Sequence, residues 1–256
     1  MVEIKTDASV NAMREAGRVV AQALTAAEKA AAVGVTLREL DEVAREVLRD
    51  AGAGSPFLDY HPDWAPVPFP AVICASVNDA IVHGIPTDYR LRDGDLVSID
   101  CGASLNGWVG DSAISFTVGQ PREADLRLIE TARAALEAGI AAAVVGNRTG
   151  DIAHAVGTVC RAAGYGIPQG FGGHGVGRTM HEGPEVPNEG RPGRGMKLRH
   201  GMTIAIEPML IGGGGDDYGA APDGWTLCTM DGSRAAHMEH TVAVRDGAPA
   251  LILTAL

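Results

Sequence analysis

The sequence predicts an α+β protein in which helices cover one side of a mainly antiparallel sheet. Two observations carry this prediction. Two helical patterns are followed by a set of short apolar strands, and the same order recurs about 112 residues further along the chain. A repeat of that length is half a domain rather than a solenoid unit. We therefore expect one domain over residues 1–256, built from two related halves at about 1–120 and 121–256.

Each half begins with two predicted helices. Apolar residues recur at helical spacing through the first of them, and Gly34 follows as a stop signal. The second opens with TLRE, in which Thr36 and Glu39 have the spacing of a capping box. The four helices are expected at about residues 9–33, 36–52, 123–145 and 149–164.

The chain has 256 residues and a formal net charge of −11. That charge argues against nucleic acid or an anionic membrane as the main partner, because both attract a cationic surface. The polar N-terminal segment has no apolar signal core, and no run approaches the ~20 apolar residues of a membrane span. We expect a cytoplasmic protein whose four scattered cysteines are buried free thiols.

The segment SIDCGASLNGWVGDSAISF predicts a β-hairpin. Its Asn106-Gly107 pair is the strongest short signal for a two-residue type I′ turn, in which both central residues have positive φ. Such a turn pairs Leu105 with Trp108 and thereby fixes the register of both strands.

That register places two carboxylates on one face of the hairpin. Counting back from the turn pairs Gly102 with Asp111, and Asp100 shares the face of Gly102 because side chains alternate along a strand. The two acids are then diagonal neighbours, with Cα atoms on the order of 7–8 Å apart. Buried carboxylates repel each other, and a bound cation would relieve this. The alternative is that the face is solvated and the pair has no function.

Further candidate ligands lie in the second half. They are His174 and His181 in the Gly-rich stretch FGGHGVGRTMHEGP, Glu207 at the end of TIAIEP, and Glu239 near the start of HMEHTVAV. Four carboxylates and one imidazole form a mostly oxygen ligand set, which suits Mn, Fe(II), Co or Zn. Bridging carboxylates can hold two such ions ~3.5–4 Å apart. His181, together with His83 in IVHGIP, is then free to contact substrate.

Several motifs resemble those of the type I methionine aminopeptidases, which have the pita-bread fold. They are VNDAIVHGIP, LRDGDLVSIDCGASLNGWVGDSA, GGHGVGRTMHEGP, MTIAIEP, DGWT and EHTV, and the resemblance covers nearly the whole chain. It implies two pseudo-symmetric halves with helices packed over a curved antiparallel sheet. It also implies removal of the initiator methionine when the second residue is small. The implied partners are nascent polypeptides, including those at the ribosome, and the implied state is a monomer.

The resemblance also implies a centre with two divalent metal ions. Asp100 and Asp111 would hold one ion, and Asp111 and Glu239 would bridge to the second. His174 and Glu207 would complete the coordination of that second ion.

The resemblance assigns further roles to side chains around this centre. Glu207 would act as the base or proton shuttle for the attacking water. His181 would contact the scissile peptide, and His83 would lie near the scissile amide, so that both assist the transition state. The methionine pocket would be lined by His83, His181, Phe69, Cys74, Met180 and Trp225.

Two alternatives remain open. An Xaa-Pro aminopeptidase or creatinase-like hydrolase would share the five-ligand pattern, although such enzymes normally carry a further N-terminal domain. A non-catalytic binding relative would share the fold, although such proteins usually lose ligands and this sequence keeps all five. The loop at about 59–70 is longer than in short bacterial members of the family, and it receives no assigned role.

Overall fold

The computed structural model describes residues 2–256. The helices in that range are α1 (Asp7–Ala30), α2 (Leu37–Asp50), α3 (Glu123–Ala142) and α4 (Thr149–Ala162). The strands before α3 are β1 (Ile73–Val77), β2 (Ala80–Val82), β3 (Leu96–Leu105) and β4 (Trp108–Thr117). The strands after α4 are β5 (Gly172–Gly175), β6 (Glu182–Pro187), β7 (Thr203–Ile206), β8 (Met209–Ile211), β9 (Tyr218–Ala220), β10 (Leu227–Thr229), β11 (Ala235–His237), β12 (His240–Ala243) and β13 (Leu251–Ile252).

The pairings between these strands are antiparallel. The first half contributes the ladder β1-β3-β4, and the second half contributes the five-stranded ladder β13-β12-β7-β5-β6. Two smaller ladders are β2-β10-β9 and β11-β8, and the former joins a strand of the first half to two strands of the second. Helices packed on antiparallel strands form the α+β architecture that the sequence predicts.

The helical pairs of the two halves correspond to each other. Helices α2 and α4 contain 14 residues each. The predicted capping box begins α2, because the Glu39 N–H donates to Thr36 Oγ1 at 3.2 Å and the Thr36 N–H donates to Glu39 Oε2 at 2.7 Å. Helix α1 ends at Ala30, earlier than predicted, because the backbone of Ala31 is already extended.

The helices cover one face of the β3–β4 hairpin. Ile99, Cys101 and Ala103 of β3 are fully buried in a core that includes residues of α1 and α2. Because alternate residues of a strand point to opposite faces, Asp100 and Gly102 point away from the helices. In the second half, residues of β7 and β12 are buried with residues of α3 and α4. The face opposite the helices is therefore available for a site.

The two halves are joined beside two of the acids. Thr241 Oγ1 donates to the backbone oxygen of Asp111 at 2.7 Å and accepts from its N–H at 3.0 Å. The Glu239 N–H donates to the backbone oxygen of Ala113 at 2.9 Å. These bonds fix an acid of the first half and an acid of the second half at neighbouring positions.

Among residues 2–256, no helix combines the length and apolar character needed to cross a membrane. The four cysteines are free thiols, as the sequence predicts, and Cys74, Cys101 and Cys160 are buried. The prediction of burial is wrong for Cys228, which is half-exposed because it lies in the short strand β10 near the surface.

Candidate metal centre and active site

The β3–β4 hairpin has the register that the sequence predicts. Asn106 and Gly107 have φ values of 52° and 73°, as a type I′ turn requires. Gly102 pairs with Asp111, so Asp100 and Asp111 share one face of the hairpin. Asp111 is 4% exposed, which means that this face is buried rather than solvated.

Strand β5 brings His174 next to these acids. Its Nε2 lies 3.6 Å from Asp111 Oδ2 and 3.7 Å from Glu207 Oε1. Its Nδ1 lies 2.9 Å from the backbone oxygen of Gly175, so the Nδ1–H donates there and Nε2 faces the carboxylates. Gly173 permits this arrangement, because a Cβ at that position would lie 2.0 Å from the backbone of β7.

Two glutamates complete the acidic cluster. Glu207 directly follows β7, and Asn188 Nδ2 donates to its backbone oxygen at 2.9 Å. Glu239 lies between β11 and β12 and is 2% exposed. Ligand atoms of Asp111, His174 and Glu239 lie within 4.8 Å of one another, which is a spacing able to hold a metal ion.

Three carboxylate oxygens of the acidic cluster lack hydrogen-bond partners among the described residues. Oδ1 of Asp100, Oδ1 of Asp111 and Oε1 of Glu239 are buried without a partner among the described residues. Burial, together with the neighbouring carboxylates, raises the pKa of Asp100 and Glu239 well above the usual range. Burial alone would lower the pKa of His174, but Asp111 and Glu207 outweigh it and raise that pKa to about 9.

The residues of the acidic cluster fit a divalent metal centre. Buried, unpaired carboxylate oxygens carry a large desolvation cost that a cation offsets. A set of hard oxygen donors with one imidazole is a donor set of the kind that divalent transition metals accept. The residues therefore fit the metal ions that the sequence predicts.

Two further histidines face the cavity beside the cluster. The rings of His181 and His174 have centroids 4.5 Å apart. Burial, with His237 and His181 nearby, lowers the pKa of His83 to about 4. Partial removal from water and the neighbouring His174 likewise lower the pKa of His181 to about 4. Both imidazoles are neutral at neutral pH, and each has one ring N–H to donate.

A cavity of about 670 Å³ opens above the acidic cluster. Its apolar wall contains Phe69, Cys74 and Trp225, which are 2%, 6% and 3% exposed. The rings of Phe69 and Trp225 pack edge to face with centroids 5.1 Å apart. Met180 also lines the cavity, and Gly102 leaves room for it, because a Cβ on Gly102 would lie 2.4 Å from Met180 Cε.

The structure gathers every residue singled out from the sequence around this one cavity. They are Phe69, Cys74, His83, Asp100, Asp111, His174, Met180, His181, Glu207, Trp225 and Glu239. Their individual roles as ligands, catalytic groups and pocket walls stay predictions.

Two aromatic residues of the loop 59–70 also line the cavity, although sequence reasoning assigned them no role. The ring of Tyr60 lies 5.5 Å from the ring of His181, measured between centroids. The ring of Trp64 lies 4.9 Å from that of Trp225, whose Nε1–H donates to the loop backbone at 2.9 Å. The Pro-rich loop has no helical or strand periodicity, so no pattern indicated where its aromatic side chains would lie.

His237 is a further residue that sequence reasoning missed. Its Nε2 lies 3.6 Å from Glu207 Oε2 and 3.9 Å from Glu239 Oε2. The sequence did contain a signal, since HMEH places this histidine two residues before Glu239. Residues with that spacing can share one face of an extended segment.

The fold and the acidic cavity define a metal-dependent peptidase, and the comparison with known families agrees. Residues 11–246 match metallopeptidase family M24, and the chain belongs to that family. Within it, the chain resembles methionine aminopeptidases. Methionine aminopeptidase 1 of Mycobacterium tuberculosis is 51% identical over 98% of this chain and 95% of its own length.

Solved structures confirm the pita-bread fold. The crystal structure of the methionine aminopeptidase from Thermotoga maritima matches with a TM-score of 0.95 and 36% identity, covering 100% of both chains. The prolidase from Pyrococcus furiosus matches with a TM-score of 0.78 and 25% identity, and the match covers 65% of the prolidase. The fold is therefore shared with prolidases, but the full-length match is to the aminopeptidase.

Proposed function

We propose that the protein uses divalent metal ions to hydrolyse the peptide bond that follows an N-terminal methionine. The observation that carries this proposal is the meeting of four carboxylates and an imidazole in a cavity with an apolar wall. When bound, such ions supply Lewis acidity, which activates water and polarises a carbonyl. The proposed ligands are Asp100, Asp111, His174, Glu207 and Glu239, and the candidate ions are Mn, Fe(II), Co and Zn.

Glu207 is the proposed general base. Its side chain lines the cavity and is held among the other acids, close to His174 Nε2. It accepts a proton from the attacking water at a carboxylate oxygen and passes it to the nitrogen of the leaving amine. The bond from Asn188 to its backbone and the following Pro208 keep this carboxylate in place.

His181 and His83 are the proposed donors to the transition state. Their lowered pKa values keep them neutral, so they donate without adding positive charge beside the metal ligands. His181 donates to the carbonyl oxygen as negative charge develops there. His83 packs against Trp225, with ring centroids 6.3 Å apart, and contacts the scissile amide.

The shape of the cavity accounts for the choice of methionine. An apolar wall built on Phe69 and Trp225 suits a thioether side chain. The acidic cluster attracts the free α-amine, which only the first residue of a chain carries. We infer that the second residue must be small, because Tyr60 lies beside His181 and Trp64 lies beside His83, so that both aromatic rings limit the space in the cavity.

We infer that the whole chain acts as one catalytic domain, because the proposed ligands come from both halves. The substrates would be nascent polypeptides and peptides that begin with methionine, including chains at the ribosome. The protein would act as a monomer in the cytoplasm.

The test is cleavage of Met-Ala-Ser and Ala-Pro-Ala by protein that is stripped with a chelator and reloaded with Mn²⁺, Fe²⁺, Co²⁺ or Zn²⁺. We expect release of methionine by reloaded protein and none by stripped protein, with Met-Leu-Ser a poor substrate. Preference for Ala-Pro-Ala would instead support a prolidase-like enzyme. A protein that takes up no divalent ion would support a non-catalytic binding role.

A further inference from the structure

His237 is a buried histidine with a ring nitrogen that lacks a hydrogen-bond partner. The residue is 2% exposed, and its Nε2 has no partner among the described residues. This nitrogen faces the carboxylates of Glu207 and Glu239, and the ligand atoms of the three buried residues lie within 4.8 Å of one another. Buried polar atoms nearly always have a bonding partner, so we expect this nitrogen to bind a group or ion from outside the chain.

The distances around this nitrogen suit a shared cation better than a hydrogen bond. His237 Nε2 is 3.6 Å from Glu207 Oε2 and 3.9 Å from Glu239 Oε2. A hydrogen bond from nitrogen to oxygen is about 2.7–3.2 Å long. Two ligand atoms that each lie about 2.0–2.2 Å from one ion are roughly 3–3.6 Å apart. The observed separations are close to this second range.

The relation of His237 to Glu207 repeats that of His174, which is already a proposed ligand. His174 Nε2 lies 3.7 Å from Glu207 Oε1, whereas His237 Nε2 lies 3.6 Å from Glu207 Oε2. The two oxygens of one carboxylate therefore each face a different imidazole. His174 has Asp111 and Glu239 in its cluster of ligand atoms, and His237 has Glu207 and Glu239 in a second cluster.

The backbone holds His237 in this position from two sides. Strand β11 pairs with β8, so that His237 lies opposite Met209, two residues after Glu207. The His237 N–H donates to Ser115 Oγ at 2.9 Å, and Ser115 Oγ is 2.8 Å from the backbone oxygen of His237. The backbone of His237 is therefore fixed beside the carboxylates by contacts to both halves of the molecule.

We propose that His237 is a metal ligand in addition to the five already named, so that the centre contains two imidazoles. This inference rests on the proposed metal centre but not on the identity of the substrate. A second imidazole shifts the donor set from oxygen towards nitrogen. Nitrogen donors favour Zn²⁺, Co²⁺ and Fe²⁺ over Mn²⁺, so His237 contributes to metal selection.

The test counts imidazole ligands in the full chain loaded with Co²⁺ alone. A histidine bound to paramagnetic Co²⁺ gives a strongly shifted proton resonance for its remaining ring N–H. We expect two such resonances in the unsubstituted protein, one in His237→Gln and one in His174→Gln. The matched control is His181→Gln, which removes an imidazole from the cavity but not from the acidic cluster, and it should keep both resonances.

Metal affinity provides an independent measurement in the same variants. Isothermal titration calorimetry of metal-free His237→Gln should show Zn²⁺ and Co²⁺ affinities lowered by about 10–100-fold or more. Loss of a residue that only hydrogen-bonds to a metal ligand already lowers metal affinity by this much. Binding of Mn²⁺ should weaken less. Equal weakening for all three ions, with both proton resonances retained, would show that the imidazole only positions Glu207 and would overturn the proposal.

The number of shifted ring N–H resonances in the unsubstituted protein tests ligation by His237 even if His237→Gln does not fold. A single shifted resonance there contradicts ligation by His237, whether or not the protein is active. Two resonances in a protein that does not cleave Met-Ala-Ser would support the role of His237 and contradict the proposed function. Failure of the ligand assignment and failure of the proposed function therefore give different results.

Discussion

Asp100 and Asp111 lie on one buried face of the β3–β4 hairpin because Gly102, two residues after Asp100, pairs directly with Asp111. This makes the two carboxylates diagonal neighbours, and the residue directly opposite Asp111 has no side chain. The buried Oδ1 of each acid has no hydrogen-bond partner among residues 2–256. The hairpin thus presents half of a cation site, and β5, β7 and the segment before β12 bring the other half to it.

Replacing a bridging carboxylate should abolish turnover. Asp111→Asn and Glu239→Gln each remove one charged ligand from the centre of the cluster. We expect kcat/KM for Met-Ala-Ser to fall by more than about 10²-fold. Mutation of a residue that only hydrogen-bonds to a metal ligand already lowers activity by about 10–100-fold. Elemental analysis beside the rate measurement should show fewer bound ions. Substantial activity in purified, metal-replete Glu239→Gln would contradict its bridging role.

Replacing His181 should separate catalysis from metal binding. Its ring lies beside His174 but is absent from the clusters of metal-ligating atoms. We expect His181→Ala to lower kcat by about 10²–10³-fold, as loss of a transition-state donor does, and to leave metal content near normal. Steady-state kinetics and elemental analysis check this together. Loss of both ions from the variant would show that the residue had been misassigned.

Adding one methyl group to the cavity floor should impair binding of methionine. A Cβ on Gly102 would lie 2.4 Å from Met180 Cε and 2.7 Å from Pro56 Cγ, so Gly102→Ala must displace both side chains from the wall of the pocket. We expect a higher KM for Met-Ala-Ser, because both displaced side chains line the cavity, and a lower melting temperature, because the Pro56 ring yields less easily than the Met180 chain end. Gly215→Ala is the matched control, because nothing lies within 4 Å of a Cβ there. Equal KM values in the two variants would contradict the placement of Met180 in the methionine pocket beside Gly102.

An ion pair whose residues do not line the cavity should give stability that depends on pH. Arg161 of α4 donates to Asp216 at 2.6 and 2.9 Å and also to Glu189. Hydrogen bonds from Arg161 lower the pKa of both acids below their values of about 4 in the unfolded chain. The folded state therefore binds fewer protons, and the stabilisation is present above about pH 4 and lost as the pH falls through the lowered values.

Arg161→Ala should consequently lower the free energy of unfolding by about 0.5–1 kcal/mol at pH 7, a modest amount because the groups are partly exposed. The difference from the unsubstituted protein should shrink in urea titrations below about pH 4. Arg18→Ala, which removes a more exposed pair with Glu15, is the control and should change stability little. A difference that stays constant with pH would contradict the ionic explanation.

The local structure of the first half follows closely from sequence. The Asn106-Gly107 turn sets the hairpin register, because a two-residue loop leaves one pairing that keeps the apolar face buried. The reciprocal bonds of Thr36 and Glu39 likewise define where α2 begins. Both signals are local, so they need no knowledge of what packs against them.

The meeting of the two halves does not follow from local signals. The residue types marked His174 and Glu207 as candidate ligands, but spacing along the chain does not place them opposite the hairpin, and their grouping around particular ions came from the resemblance to a family. His237 and Trp64 were missed for physical reasons. His237 ends β11 and Glu239 lies between β11 and β12, so the sequence alone did not show that both side chains face the cluster. Trp64 belongs to a loop whose position is set by contacts with Trp225.

The central claim is that the acidic cluster binds divalent ions that are required to release an N-terminal methionine. The most direct measurement titrates Co²⁺ into chelator-stripped protein and follows bound metal and methionine release from Met-Ala-Ser in the same samples. We predict that release is absent without metal, rises as the cluster fills and stays absent in Asp111→Asn. Methionine release by metal-free protein, or full metal uptake without any release, would contradict the claim.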